Sequence, residues 1–372
     1  MIMAAPELER VQYRLRQFAQ HVAAGVSPLY AHLAERAADD AEVAGLLTAT
    51  SPEFATPTLL LAAVHRVLQA EPVHELSNYY PSLGGSYGVD SGTWPLFRAF
   101  TLERADAVRA LIATRTTQTN EVRRAALLYP AVAMAAARRP IALLEVGCSA
   151  GLLLNLDRYS YRYQTEQAGQ LVAGPAKATV GLHCALELAP GATLPVLPKK
   201  LTVGARFGLD RAPVDLADEE QYAWLEACIW ADQPERLRLF SAAARAQRDN
   251  RPELVTGDAI DDLPAVAARV PAELPLVVLT SSAMFYLPKP RRADFVAALG
   301  ELAARRPVHW VTHDEYEAAL RHVLPDRADL RWPKEDGHSF GTLGLVRWED
   351  GRAVGRALAK TAWHGQRMTW LP

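Results

Sequence analysis

The chain has 372 residues, 50% hydrophobic and 22% charged, with a net charge of −2 and a sequence pI of about 6.6. That is ordinary globular material, enough for one large domain or two smaller ones, and it excludes a global basic field for nucleic acid or anionic membrane. Three cysteines (Cys148, Cys184 and Cys228) without C-x-x-C spacing argue against a disulfide framework or a structural zinc site, and no metal is expected.

The opening stretch, MIMAAPELERVQYRLRQ, is charged by Glu7 and lacks the apolar core of a signal peptide. No apolar run approaches the roughly 18 residues of a membrane span, so a cytoplasmic protein without a membrane partner is expected. Val11, Leu15, Phe18 and Val22 fall on one helical face. Thr58–Ala70 predicts a second, more buried helix, and Leu96–Ala113 a third. Residues 1–130 therefore read as a helical region, a candidate lid, substrate domain or homodimer surface. His65 reads as a core or interface histidine. The loop Asn78–Gly88 is rich in aromatic residues, glycine and proline, and could cover a pocket. Thr116–Asn120 is a polar run before an Ala-rich helix. Thr119 or Asn120 would cap that helix, and Gln118 and Asn120 could also reach a ligand.

At Ile141 the pattern changes. Ile141–Val146 is an apolar run suited to a strand buried on both faces; Gly147-Cys148-Ser149-Ala150-Gly151 is a small-residue turn; Leu152–Leu156 predicts a helix start. Strand, glycine turn and helix place backbone N–H groups where a charged ligand can use them. Beyond it strands alternate with helices, which predicts a parallel, doubly wound sheet. Candidate strands are Ile141–Val146, Ala205–Leu209, Glu253–Thr256, Leu276–Thr280 and Val308–Thr312. Gly341–Trp348 and Arg352–Trp363 form a hairpin turning at Glu349-Asp350-Gly351. Asp218–Trp230, Pro234–Gln247 and Arg291–Arg305 predict helices. The interval 158–204 breaks the rhythm and reads as an inserted loop or small β-element.

Ligands of open α/β sheets bind beyond the carboxyl ends of the strands. Those ends carry Glu145 and Gly147, Asp210, Gly257-Asp258-Ala259, Ser281-Ser282 and His313-Asp314. Glu145-x-Gly147-x-x-x-Gly151 resembles the first motif of class I S-adenosylmethionine-dependent methyltransferases, with Ser149 in place of the middle glycine. Gly147-x-Ser149-x-Gly151 equally matches the nucleophile elbow of an α/β-hydrolase. Over nearly its whole length the chain resembles an uncharacterised bacterial family of the domain-of-unknown-function kind, of methyltransferase-like type. The resemblance rests on QTNE at Gln118–Glu121, LLEVGCSAGLLLNLDRYSY at Leu143–Tyr161, GLD at Gly208–Asp210, WLEACIWADQPERL at Trp224–Leu237 and GDA at Gly257–Ala259.

The resemblance implies a class I methyltransferase-like Rossmann fold over 131–372, with a C-terminal antiparallel hairpin and the helical region packed on it. Its cofactor would be S-adenosylmethionine, leaving S-adenosylhomocysteine as product. Glu145, Gly147, Ser149, Gly151 and Ser281 would lie at the ligand, with Asp210 at the ribose and Asp258 and Ala259 at the adenine. Tyr286 is expected to contact the substrate, and His313, placed just past its strand, to act as a base. The missing basic stripe and the absent Asn/Asp-Pro-Pro-Tyr pattern point to a small-molecule O or N nucleophile and away from nucleic acid. Two other functions stand beside this one. The chain could bind an adenosyl ligand, or serve as a scaffold, without transferring methyl. Alternatively it could be a serine hydrolase with Ser149, Asp314 and His364 as its triad.

Overall fold

The computed structural model describes residues 4–332 and 339–372. Helices open the chain: α1 (Ala4–Phe18), α2 (Pro28–Ala38), α3 (Ala41–Gly45), α4 (Pro57–Gln69), α5 (Thr93–Glu103), α6 (Ala105–Thr114) and α7 (Arg124–Ala136). Strand β1 (Ile141–Val146) follows, then β2 (Ser160–Thr165), β3 (Gly169–Ala173), β4 (Gly181–Leu188) and β5 (Val203–Asp210). Next come α8 (Glu219–Ala227), α9 (Pro234–Asp249), β6 (Glu253–Thr256), α10 (Leu263–Ala267), β7 (Leu276–Ser281), α11 (Arg291–Ala303) and β8 (Val308–Asp314). The chain closes with β9 (Gly341–Glu349), β10 (Arg352–Thr361) and β11 (Arg367–Trp370). No helix among the described residues is long and apolar enough to cross a membrane.

Two compact units result. One comprises 1–119 with 217–240, the other 120–216 with 241–372. The boundary thus falls before α7 rather than near 130, and the stretch around α8 belongs to the helical unit. Within that unit, α2 and α4 begin where side chains dictate. Ser27 and Thr56 accept from backbone N–H groups three residues on, and Pro28 and Pro57 fill the first helical position. Ser27 in turn donates to Asp232, whose carboxylate also accepts from Leu29 N. Trp230 packs on Tyr30 and Phe18. The predicted helix over Leu96–Ala113 is two helices, broken at Arg104, whose guanidinium pairs with Glu71.

The second unit is built on one eleven-stranded sheet in the order β3-β2-β4-β11-β10-β9-β8-β7-β1-β5-β6. It is mostly parallel: β8, β7, β1, β5 and β6 run together, whereas β9 and β10 run antiparallel to their neighbours. Taken by chain order, the five parallel strands lie 3-2-1-4-5, so the order reverses between β1 and β7. Every residue of β1 and β7 is buried, as the unbroken apolar runs require. One face of the sheet carries Ala142, Leu144, Val146, Val278 and Trp310, covered by α10 and α11 through Leu263, Phe295 and Leu299. The other face carries Leu143, Glu145, Ser281 and His313, and α7 crosses it over β7, β8 and β9. Asp350 and Gly351 both have positive φ and join β9 to β10 as the expected two-residue turn.

One expectation fails locally. The leucines after the glycine turn form no α-helix but a short 3-10 segment, Leu152–Arg158, kinked at Asn155. The carbonyls an α-helix would use internally go elsewhere: Leu152 and Leu156 accept from the buried Tyr159 and Tyr161 hydroxyls, and Leu154 from Arg206. The interval 158–204 takes the second of its two expected forms, a β-element. Its strands β2, β3 and β4 extend the sheet at the far side and join it through β11, a strand without a sequence-level expectation.

Candidate functional site

The site grows from the turn after β1. Gly147 and Gly151 have φ of 78° and 70°, in the left-handed region glycine tolerates best. A Cβ at Gly147 would stand 2.8 Å from the Cβ of Ala283, so the loops after β1 and β7 meet at the point of strand reversal. Ser149 lies between the glycines with φ of 49°, strained for a residue with a side chain. Two neighbours hold it there. Asp210, at the end of β5, accepts from Ser149 N at 2.8 Å and from Ala212 N at 2.9 Å. Asn120 donates from Nδ2 to Ser149 Oγ at 3.0 Å. Gly208 makes room for the turn, since a Cβ there would lie 2.5 Å from Cys148 Sγ.

Glu145 is the turn's buried acid. Burial pushes its carboxyl well above the ordinary range, the Asp210 carboxylate adds to this, and the Arg124 charge opposes it. Its Oε2 is buried with no hydrogen-bond partner among the described residues. Arg124, at the start of α7, is itself buried and donates from Nε to Trp363 O and from NH1 to Ser281 O. Its charge reaches Glu145, Tyr286 and His313. Nothing in the sequence marked it: in RRAALLYPAVAMAA it reads as one more helix residue.

Other expected residues are placed differently. His313 is not past its strand but inside β8 and fully buried. Its Nδ1 lies 3.2 Å from Ser281 Oγ and its Nε2 lies 2.9 Å from Thr361 Oγ1. Burial first, then the Arg124 and His364 charges, lower its pKa to about 3. A neutral ring with both nitrogens engaged does not serve as a general base near neutral pH. Asp258, expected at the adenine, spends its carboxylate on Ile260 N, Asp261 N, Arg211 and Arg291. Ala259 sits in the turn that Asp258 closes. Neither Thr119 nor Asn120 caps α7; its N-cap is Arg123, without a side-chain bond. Gln118 lies in the helical unit, where its backbone bonds the Cys228 thiol. Tyr286 is 75% exposed, its ring tilted by 34° against Phe285 with ring centres 4.1 Å apart. Of the triad drawn from the sequence, Asp314 accepts from Met284 N and Thr312 Oγ1, while His364 lies 3.6 Å from Glu121. Among the described residues, no group of three His, Cys, Asp or Glu could hold a metal.

A family described as "Uncharacterized protein conserved in bacteria (DUF2332)" matches residues 12–370. The chain belongs to that family. No curated protein and no solved structure matches it. The DUF2332 match spans both units, and the segments that suggested such a family divide between them. Gly147–Gly151, Gly208–Asp210 and Gly257–Ala259 line the carboxyl ends of β1, β5 and β6. Trp224–Leu237 instead builds the helical unit, where Trp224 Nε1 donates to Thr116 O.

Proposed function

We propose that the chain binds S-adenosylmethionine at the carboxyl ends of β1, β5 and β7 and transfers its methyl group to an O or N nucleophile of a small molecule. The observation that carries this reading is the Gly147–Gly151 turn, held by Asp210 beside the reversal of strand order, where doubly wound sheets of Rossmann type bind their ligands. The residues present fit such a group. Among the described residues, Glu145 keeps a buried oxygen without a hydrogen-bond partner. An ionised carboxylate has about four acceptor sites. Asp210 uses two on Ser149 and Ala212, which leaves capacity for a pair of ribose hydroxyls. Glu145 and Arg124, a buried acid and a cation near one end of the sheet, suit the ammonium and carboxylate of an amino-acid head group. When bound, the cofactor supplies an electrophilic methyl on sulfonium. The chain's own part is to bind, orient and exclude water.

Calorimetric titration with S-adenosylmethionine and S-adenosylhomocysteine tests this. Micromolar binding of both is expected, weakened at least tenfold by Asp210→Ala. Binding of neither would overturn the reading, and labelling of Ser149 by a fluorophosphonate would then favour the hydrolase. One observation favours binding without transfer: the expected base, His313, is neutral and enclosed. Incubation with methyl-labelled cofactor and small-molecule extracts separates the two, because a pure binder leaves every acceptor unlabelled.

A further inference from the structure

A row of polar side chains crosses the α7 face of the sheet at its carboxyl end: Ser281 on β7, His313 on β8 and Thr361 on β10. Thr361 Oγ1 stands 3.0 Å from Gly341 O and 2.9 Å from His313 Nε2. A hydroxyl has one proton, and the carbonyl has none to give. If that proton pointed at His313, two oxygens would face each other at 3.0 Å with nothing between them. The arrangement without that conflict has Thr361 donating to Gly341 O and His313 donating from Nε2 to Thr361. Nδ1 is then the bare nitrogen of the ring, and the hydrogen bond at 3.2 Å must come from Ser281 Oγ.

Gly341 supports the same row independently. It is not among the residues with positive φ, so no backbone conformation demands glycine there. A Cβ at 341 would stand 2.7 Å from both His313 Nε2 and Thr361 Oγ1. The glycine leaves room for this pair.

We propose that His313 acts as a lock: it holds the Ser281 hydroxyl proton, so that Ser281 presents only lone pairs beside the strand reversal and selects a ligand carrying an N–H donor, a protonated amine. Ser281 is not a nucleophile in this arrangement. Taking up its proton would leave a buried imidazolium next to Arg124, and His313 titrates only near 3. Ser281 and Glu145 lie on the same face of neighbouring strands, an acceptor and a buried acid that together suit an ammonium. The choice of ligand rests on the adenosyl reading above; the lock itself does not.

The test has two arms on the full chain. In the first, nitrogen-15 spectra of histidine-labelled protein, assigned by loss of the signal in His313→Gln, report the tautomer. An Nε2–H ring, neutral from pH 5 to 8, is expected, and Thr361→Val should let both tautomers appear. An Nδ1–H ring, or an imidazolium at pH 6, would overturn the lock even if S-adenosylmethionine binds. In the second, calorimetry compares S-adenosylhomocysteine with its analogue lacking the α-amino group. Wild type should prefer the amine by roughly ten- to a hundredfold, the range expected for a charged hydrogen bond. Ser281→Ala should shrink that preference, while equal preference in wild type and Ser281→Ala would refute the selection. If neither compound binds wild type, the adenosyl reading and this ligand choice fall together, and the tautomer alone decides the lock.

Discussion

Ser149 is where backbone and side chain disagree. A left-handed φ costs a residue with a Cβ about 1–2 kcal/mol, and the bonds from Asp210 and Asn120 hold it there. Ser149→Gly removes the strain together with the Asn120 contact, so we expect its stability to stay within about 0.5 kcal/mol of wild type in urea unfolding. Asp210→Ala leaves two backbone N–H groups without their acceptor and should cost about 1–3 kcal/mol in the same measurement. Asp314 gives a pH signature. Burial raises its carboxyl to about 6, from an ordinary 3.8, although Met284 N and Thr312 donate to it. The native state therefore holds this proton longer than the unfolded one. The stability it contributes is complete below about 3.8 and is lost as pH rises through 6. Relative to Asp314→Asn, wild type should lose up to about 3 kcal/mol across that window; parallel stability–pH curves would contradict this.

Among the elements, what could be read in the sequence followed burial. The bounds of β1 agree residue for residue with its apolar run, those of β6 with the expected Glu253–Thr256 although its end residues are exposed, and β5, β7, β8 and β9 lie within two residues. The glycine turn was legible because Gly147 and Gly151 have few other uses at that spacing. The 3-10 segment was not, because consecutive leucines fit either helix and the deciding groups are hydroxyls several residues on. Tyr159→Phe and Tyr161→Phe each remove a buried donor to a carbonyl, and each should cost about 1 kcal/mol in urea unfolding. The roles of Arg124, Thr361 and Trp363 escaped notice because they come from a helix, a strand end and a turn far apart in sequence. His313 was visible, but its strand runs two residues further than its apolar run, and that difference takes it from solvent to the core.

At the scale of the molecule, the sheet is continuous only because β11 lies between β4 and β10, parallel to one and antiparallel to the other. Removing residues 367–372 would open two strand edges within the sheet, with Met368 and Trp370 gone from the core. Such a truncation should give insoluble protein or a broad, uncooperative melt by calorimetry. A sharp melt near the wild-type temperature would show that the two parts of the sheet stand independently. Legibility also fell off with scale. Alternating residues such as Tyr159, Tyr161 and Tyr163 betray a strand, but no local pattern says that it joins the opposite end of the sheet.

The position of β11 also sets an order of events during synthesis. Strands β2, β3 and β4 leave the ribosome long before β11, the strand that ties them to β10. At roughly 5–20 residues per second, the gap between β4 and β11 amounts to some ten to forty seconds. Through that interval the growing chain carries bare strand edges, and a stalled ribosome would leave a product that cannot bury them. Half-made copies should therefore be clients of chaperones and proteases in a way that finished ones are not.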